Sequence, residues 1–184
     1  MKRINKENIN SQSYWNKHAS THKFGLRQKE YLKLAGKGEN IIDIGCGISA
    51  FPDKARENFK YSFGLDFSTE TIKKASRKYP KVIYIFGDCT KSMIASKMFD
   101  VSVSGEVIEH LENPEDLIKE MARITKRRVI ISTAKMEYND PEHLWEFDEE
   151  YLKSMGEKYG KTTVHEIKSE WFPGRSYLFM IIDL

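Results

Sequence analysis

The sequence predicts an α/β fold. It reads as a doubly wound, mostly parallel seven-stranded sheet with an antiparallel C-terminal hairpin and helices on both faces. Three observations carry this expectation. Short apolar runs alternate with helix-like segments along most of the chain, the pattern of βαβ units whose parallel sheet is covered on both sides. Two glycines directly follow the first apolar run, in "NIIDIGCGISAF", residues 40–51. Near the end, "TTVHEIKSEW" and "RSYLFMIIDL" are both strand-like but are separated only by "FPG". A parallel crossover needs a dozen or more residues, so this last pair is antiparallel.

Each element follows from its residues. In "GLRQKEYLKLA", residues 25–35, Leu26, Tyr31, Leu32 and Leu34 recur at near-helical spacing, and Gly36 ends the pattern. "NIIDIG" is the first strand, and a helix over residues 50–59 closes on "ENFK". "YSFGLDF" is the second strand, ending at Asp66. Ser68 caps "STETIKKASRKY", Glu70 sits in its first turn, and Pro80 breaks it. "KVIYIFGD" and "MFDVSVSG" are the third and fourth strands. Asn113 and Pro114 read as N-cap and first helical residue of "PEDLIKEMARIT". "RRVIIST" is the fifth strand, and Asp148 caps "EEYLKSMGEKYG", which Gly160 ends.

With 184 residues the chain is long enough for one sizeable core. The organisation expected is an N-terminal arm and helix over residues 1–36, giving partial cover to the site, followed by a nucleotide-binding domain over residues 37–184. No apolar run approaches the roughly 20 residues of a membrane helix, and the first residues lack the apolar core of a secretory signal. Cys46 and Cys89 cannot form a disulfide framework or a cysteine-based zinc site, so both read as reduced thiols of a cytoplasmic protein, monomeric or homodimeric. The net charge of +3 is uneven: residues 1–40 carry nine Lys/Arg and three Asp/Glu. Such an arm can meet an anionic partner or simply be a solvated leader. Residues 137–150 hold seven acids and no Lys or Arg, which argues against a nucleic-acid phosphate lying there.

Gly45, Gly47 and Ala50 fit G-x-G-x-x-A, and Asp66 lies 21 residues past Gly45, where a ribose-binding acid belongs. Any ligand with an adenosine ribose calls for that pair of features. Three others argue against a nicotinamide dinucleotide. Asp43 sits at the strand end, where it opposes a pyrophosphate but suits the ammonium of a methionine-like tail. The chain closes on an antiparallel hairpin with no second domain. There is no Tyr-x-x-x-Lys pair. The reading is a site for S-adenosylmethionine (SAM), with an NAD(P)-linked oxidoreductase as the alternative of another class.

Over nearly its whole length the chain resembles the class I SAM-dependent methyltransferases, which have a Rossmann-like fold; "GEVIEHL" is most similar to the ubiquinone-biosynthesis O-methyltransferases and related broad groups. "IIDIGCG" resembles the first family motif, around Asp43, Gly45, Cys46 and Gly47. "GLDFS" resembles the second, which implies Asp66 on the ribose hydroxyls and Phe67 beside the adenine. "FGDCT" resembles the third, implying that Asp88 accepts from the adenine amino group with Cys89 close by. "FDVSVSGEVIEHL" resembles the fourth, in which Ser104, Gly105 and Glu106 line the methionine end. "GLRQKEYL" resembles the helix before the first motif, implying that Arg27 meets the SAM carboxylate. One departure is Ser49, where many members carry a third glycine.

Methyl transfer from a sulfonium is an in-line displacement, so positioning supplies most of the rate. A base is needed where the acceptor is a hydroxyl or a protonated amine. His110 after the fourth strand and His143 in "NDPEHLWEF" are the candidates, because imidazole titrates near neutral pH. The expected acceptor is a small molecule methylated on a hydroxyl. Trp15, Trp145 and Phe172 are aromatic candidates to border it. Glu106, Glu109 and His110 are spaced to meet on one helical turn, and His143 completes a set that suits a divalent metal. This quartet resembles that of small-RNA 2′-O-methyltransferases, and some quinone methyltransferases carry part of it. A metal-assisted RNA or quinone methyltransferase is therefore a further alternative, and a SAM-binding protein without turnover is another.

Overall fold

A computed structural model describes the chain except for residues 6–8, 20, 23, 136–141 and 171–173. Its centre is a seven-stranded sheet of β1 (Gly38–Ile44), β2 (Phe59–Asp66), β3 (Ile83–Phe86), β4 (Phe99–Gly105), β5 (Thr125–Lys135), β6 (Lys161–Lys168) and β7 (Ser176–Asp183). The spatial order is β3-β2-β1-β4-β5-β7-β6. Only β7 runs against its neighbours, and it enters the sheet between β5 and β6. This is the sheet that the alternation and the closing hairpin predict.

Among the described residues six α-helices accompany the sheet: α1 (Gln12–His18), α2 (Leu26–Ala35), α3 (Phe51–Ala55), α4 (Thr69–Lys78), α5 (Pro114–Ile124) and α6 (Glu149–Glu157). Side chains alternate across each strand, so β1 feeds two cores. Ile42 and Ile44 pack with Leu117, Met121 and Leu152 of α5 and α6, while Ile41 packs with Tyr31, Ala35 and Phe51 of α2 and α3. Fully buried residues such as Phe51, Phe99 and Phe179 each stabilise the fold by roughly 2–3 kcal/mol relative to exposure. Strand order reverses between β1 and β4, which opens a crevice at the carboxyl ends of the strands.

The structure refines several boundaries. The helix expected over residues 50–59 is only Phe51–Ala55, because β2 starts early and pairs Phe59 with Gly38. Ser68 caps α4 as expected, its Oγ accepting from Thr71 N at 3.1 Å. Asn113 occupies the N-cap of α5 with Pro114 following, as expected, but its side chain makes no cap bond; its Nδ2 donates to Asp116 Oδ2 instead. Gly160 lies beyond the end of α6, and a Cβ there would stand 2.2 Å from the Asp183 carbonyl oxygen. Passage of β7, rather than helix termination, therefore requires that glycine.

The N-terminal arm is not a loose leader. Ser11 caps α1, and none of the α1 residues is buried. Polar bonds hold the arm across the crevice: Gln12 Nε2 donates to the Phe67 carbonyl at 2.7 Å, and Ser68 Oγ donates to Asn16 Oδ1 at 2.8 Å. On the far side Asn10 Nδ2 donates to the Glu142 carbonyl and Asn5 Nδ2 to that of His143. Hydrophobic periodicity could not reveal an attachment made of hydrogen bonds. No described helix is long and apolar enough to cross a membrane.

Candidate active site

The turn after β1 is built on backbone geometry that side chains resist. Gly45 and Gly47 have φ of 69° and 55°. A Cβ on Gly45 would lie 2.3 Å from Val107 Cγ2. Gly45 N and Cys46 N both donate to the Leu65 carbonyl, fixing the turn to the end of β2. Asp66 continues that link: Oδ2 accepts from Gly47 N at 3.0 Å and Oδ1 from Ser68 N at 2.9 Å. Burial raises the Asp66 carboxyl, and these amide bonds oppose the shift. Ser49, the position that departs from the family pattern, accepts from Phe51 N at 3.1 Å and so supports the start of α3.

A cavity of about 1130 Å³ runs from this turn across the ends of β2 and β4. Arg27, Asp43, Gly45, Cys46, Gly47, Asp66, Phe67, Asp88, Cys89, Gly105, Glu106, His110 and His143 all line it. Ser104 does not: it is fully buried below the floor, and its Oγ donates to the Ile44 carbonyl at 2.9 Å. Strand alternation turns its side chain away, so it braces β4 against β1. Trp15 lines the cavity, with its ring 5.2 Å from that of His110. Trp145 does not; its Nε1 donates to the Leu111 carbonyl and its ring lies under Arg3. Phe172 lies outside the described residues.

At one end Arg27 Nη1 stands 3.1 Å from Glu106 Oε2, and the guanidinium lies over the Tyr177 ring. Burial alone would favour neutral Arg27, but the Glu106 carboxylate beside it keeps it firmly charged. Burial pushes Glu106 up to about 7 against the pull of Arg27. Asp43, 7% exposed, is pushed up to about 8 by burial, opposed by Arg27 and reinforced by Asp66. Cys89 is pushed up to about 12, chiefly by burial, so it is an inert thiol. Asp88 lines the cavity, and its Oδ1 accepts from Thr90 N and Oγ1.

At the other end lies a 3₁₀ turn, Ile108–His110, with the loop that carries His143. His110 Nδ1 is 2.9 Å from the Glu142 carbonyl oxygen. A carbonyl only accepts, so Nδ1 carries the proton and the neutral ring has its lone pair on Nε2. The His110 and His143 rings are 4.9 Å apart. One donor atom each of Glu109, His110 and His143 fall within 4.8 Å of one another. Glu106 is not in that group, because its side chain turns to Arg27. The backbone explains the divergence: Glu106 is left-handed with φ 58°, so Glu106, Glu109 and His110 do not share one helical face.

Sequence reasoning treated Tyr31 as one of several apolar positions and missed that it lines the cavity. Four residues after Arg27 on α2, it projects to the same cavity. That spacing was the available signal.

The model of the methyltransferase domain family matches residues 42–133, half of the chain. This chain belongs to the class I SAM-dependent methyltransferases. A relative in this family, a probable S-adenosylmethionine-dependent methyltransferase of Mycolicibacterium smegmatis, is 25% identical over 117 residues, 62% of this chain and 42% of that protein. The demethylmenaquinone methyltransferase of Renibacterium salmoninarum is 26% identical over 89 residues, 48% of this chain and 38% of that protein. The chain thus spans about two fifths of the length of these curated relatives. Among solved structures, phosphoethanolamine N-methyltransferase 2 of Haemonchus contortus in complex with S-adenosyl-L-methionine superposes with a TM-score of 0.72 at 15% identity, over 86% of this chain and 52% of that one. That likeness establishes the Rossmann-like methyltransferase fold.

Proposed function

We propose that this methyltransferase domain moves a methyl group from SAM to a hydroxyl of a small-molecule acceptor. The supporting observation is one continuous cavity that joins Asp66, the Arg27–Glu106 pair and His110 along its length. The residues suit the donor. Backbone at Gly47 allows close approach, and each Asp66 oxygen keeps a lone pair for a ribose hydroxyl beyond its amide bond. The Asp88 carboxylate suits the adenine amino group, and Phe67 and Cys89 line the same cavity. Arg27 suits the carboxylate of the amino-acid tail. Glu106, whose buried Oε1 has no partner among the described residues, suits its ammonium together with Asp43.

When bound, the sulfonium supplies an already activated methyl. What remains for the protein is alignment, exclusion of water and removal of the acceptor proton. His110 Nε2 takes that proton, with His143 beside it. The arm, residues 1–36, gives partial cover and places Trp15 against the acceptor side. Calorimetry with S-adenosylhomocysteine (SAH) and NAD tests the donor, with binding expected for SAH alone. A labelled-methyl assay over a panel of hydroxyl and amine acceptors tests the reaction. Transfer only to amines would overturn hydroxyl methylation, and binding without turnover would make the protein a SAM carrier.

The cluster of Glu109, His110 and His143 supports a second reading, in which a divalent cation orients the acceptor oxygen. Quinone or RNA acceptors belong to that reading.

A further inference from the structure

Tyr31 and Arg27 are four residues apart on α2 and present one face. Tyr31 is 3% exposed, and its hydroxyl donates to the Ser104 carbonyl at 3.3 Å. It also lies 2.5 Å from Ser132 Oγ, which is then the donor in that bond. The carbonyl of the same Ser132 accepts from Glu106 N at 3.0 Å. Glu106 is a non-glycine residue held at φ 58°, a conformation that persists only where its surroundings impose it. Its carboxylate returns to Arg27 at 3.1 Å. The contacts form a closed circuit from α2 through β5 to the turn after β4 and back to α2. Gly105 makes room for it, since a Cβ there would stand 2.2 Å from the Tyr31 hydroxyl oxygen.

We infer that Tyr31 and Ser132 are a positioning pair that sets Arg27 and Glu106 at the spacing needed by the donor's amino-acid tail. This rests on the donor reading above. Neither residue touches the reacting atoms; each acts through the ion pair. A buried Tyr–Ser bond with only a packing role would affect every part of the cavity alike. The circuit instead confines its effect to the tail end.

The test compares two probes, SAH and 5′-methylthioadenosine, which keeps the adenosine and thioether but lacks the amino-acid tail. Tyr31→Phe preserves the ring contacts to Phe51 and Phe179 and removes only the hydroxyl. It should weaken SAH by about tenfold and leave methylthioadenosine unchanged. Ser132→Ala should act in the same direction, and the double variant should be no worse than Tyr31→Phe alone, because the Tyr31–Ser132 bond is already lost in that variant. If Tyr31→Phe does not fold, Ser132→Ala carries the comparison. Equal losses for both probes, or no loss for SAH, would overturn the inference. Wild-type protein that binds neither probe would overturn the donor reading itself, and the inference with it.

Discussion

Arg27 Nη1 lies 3.1 Å from Glu106 Oε2, so the cavity carries a cation and an anion of its own in contact. A zwitterionic amino-acid tail can exchange with this pair, carboxylate to Arg27 and ammonium to Glu106, without leaving either charge buried alone. Such a pair resists water less than a bare buried charge would, and it keeps both side chains in place before the ligand arrives.

Replacing Arg27 with methionine should therefore weaken SAH by about 2 kcal/mol, the scale of a lost charged hydrogen bond. It should also raise the Glu106 carboxyl further, because Arg27 is what now restrains it. Calorimetry above and below neutral pH measures both effects. Unchanged affinity would remove Arg27 from the donor site.

Four buried acids, Asp43, Asp66, Glu106 and Glu109, are raised by burial and set the pH response. Asp43 is pushed up to about 8, and Glu106 and Glu109 each to about 7, with burial the main cause in all three. Unfolded, such groups titrate near pH 4. Between these limits the folded protein holds protons that the unfolded chain has released, so stability from these groups falls as pH rises. Glu120, held at about 2 by Arg123, acts below that window. The melting temperature of the ligand-free protein should decline from about pH 5 to about pH 8, and Asp43→Asn should flatten the decline. SAH affinity should rise over the same range, as ionised acids meet its ammonium. A melting temperature that climbs across the window would contradict this account.

The glycine turn offers an internal control. Gly36 and Gly45 share φ 69°, but a Cβ meets nothing within 4 Å at Gly36 and meets Val107 Cγ2 at 2.3 Å at Gly45. Gly36→Ala should cost about 2 kcal/mol from the backbone alone, because its φ of 69° with ψ of −128° is a conformation that glycine adopts far more readily than alanine. Gly45→Ala adds overpacking and should cost about 3 kcal/mol. Denaturant midpoints of the two variants measure the difference, and equal losses would mean that Val107 moves aside freely.

Sequence and structure agree where chemistry is local and diverge where distant chain meets. Asp66, Ser68 and the glycine turn could be read directly, because the turn and cap bonds join residues close in sequence, such as Gly47 to Asp66 and Ser68 to Thr71. The reversed β7 could be read from the three-residue gap before it, although its insertion between β5 and β6 could not. The turn of Glu106 away from Glu109 was hidden, since one left-handed residue undoes a helical spacing argument. The link from Tyr31 to Ser132 spans 101 residues, and no periodicity announces a bond of that length. The arm was hidden for a related reason: its attachments are amides and carbonyls up to 138 residues apart.

His110 separates the two chemical readings of the acceptor end. Its Nδ1 is committed to the Glu142 carbonyl, so Nε2 can take a proton or bind a cation. As a base, His110→Gln should lower turnover by about 10²–10⁴-fold while SAH affinity stays within about threefold. His143→Ala should lower turnover more than affinity by the same logic, and exhaustive chelation should change nothing. If Glu109, His110 and His143 instead hold a divalent cation, chelation should abolish turnover and added metal should restore it, and any one of the three substitutions should remove that rescue. Measured with the chelated and metal-reloaded protein side by side, turnover distinguishes a proton acceptor from a metal ligand. Equal loss of turnover and SAH affinity in His110→Gln would exclude both, because it would place His110 in the donor's footprint rather than the acceptor's.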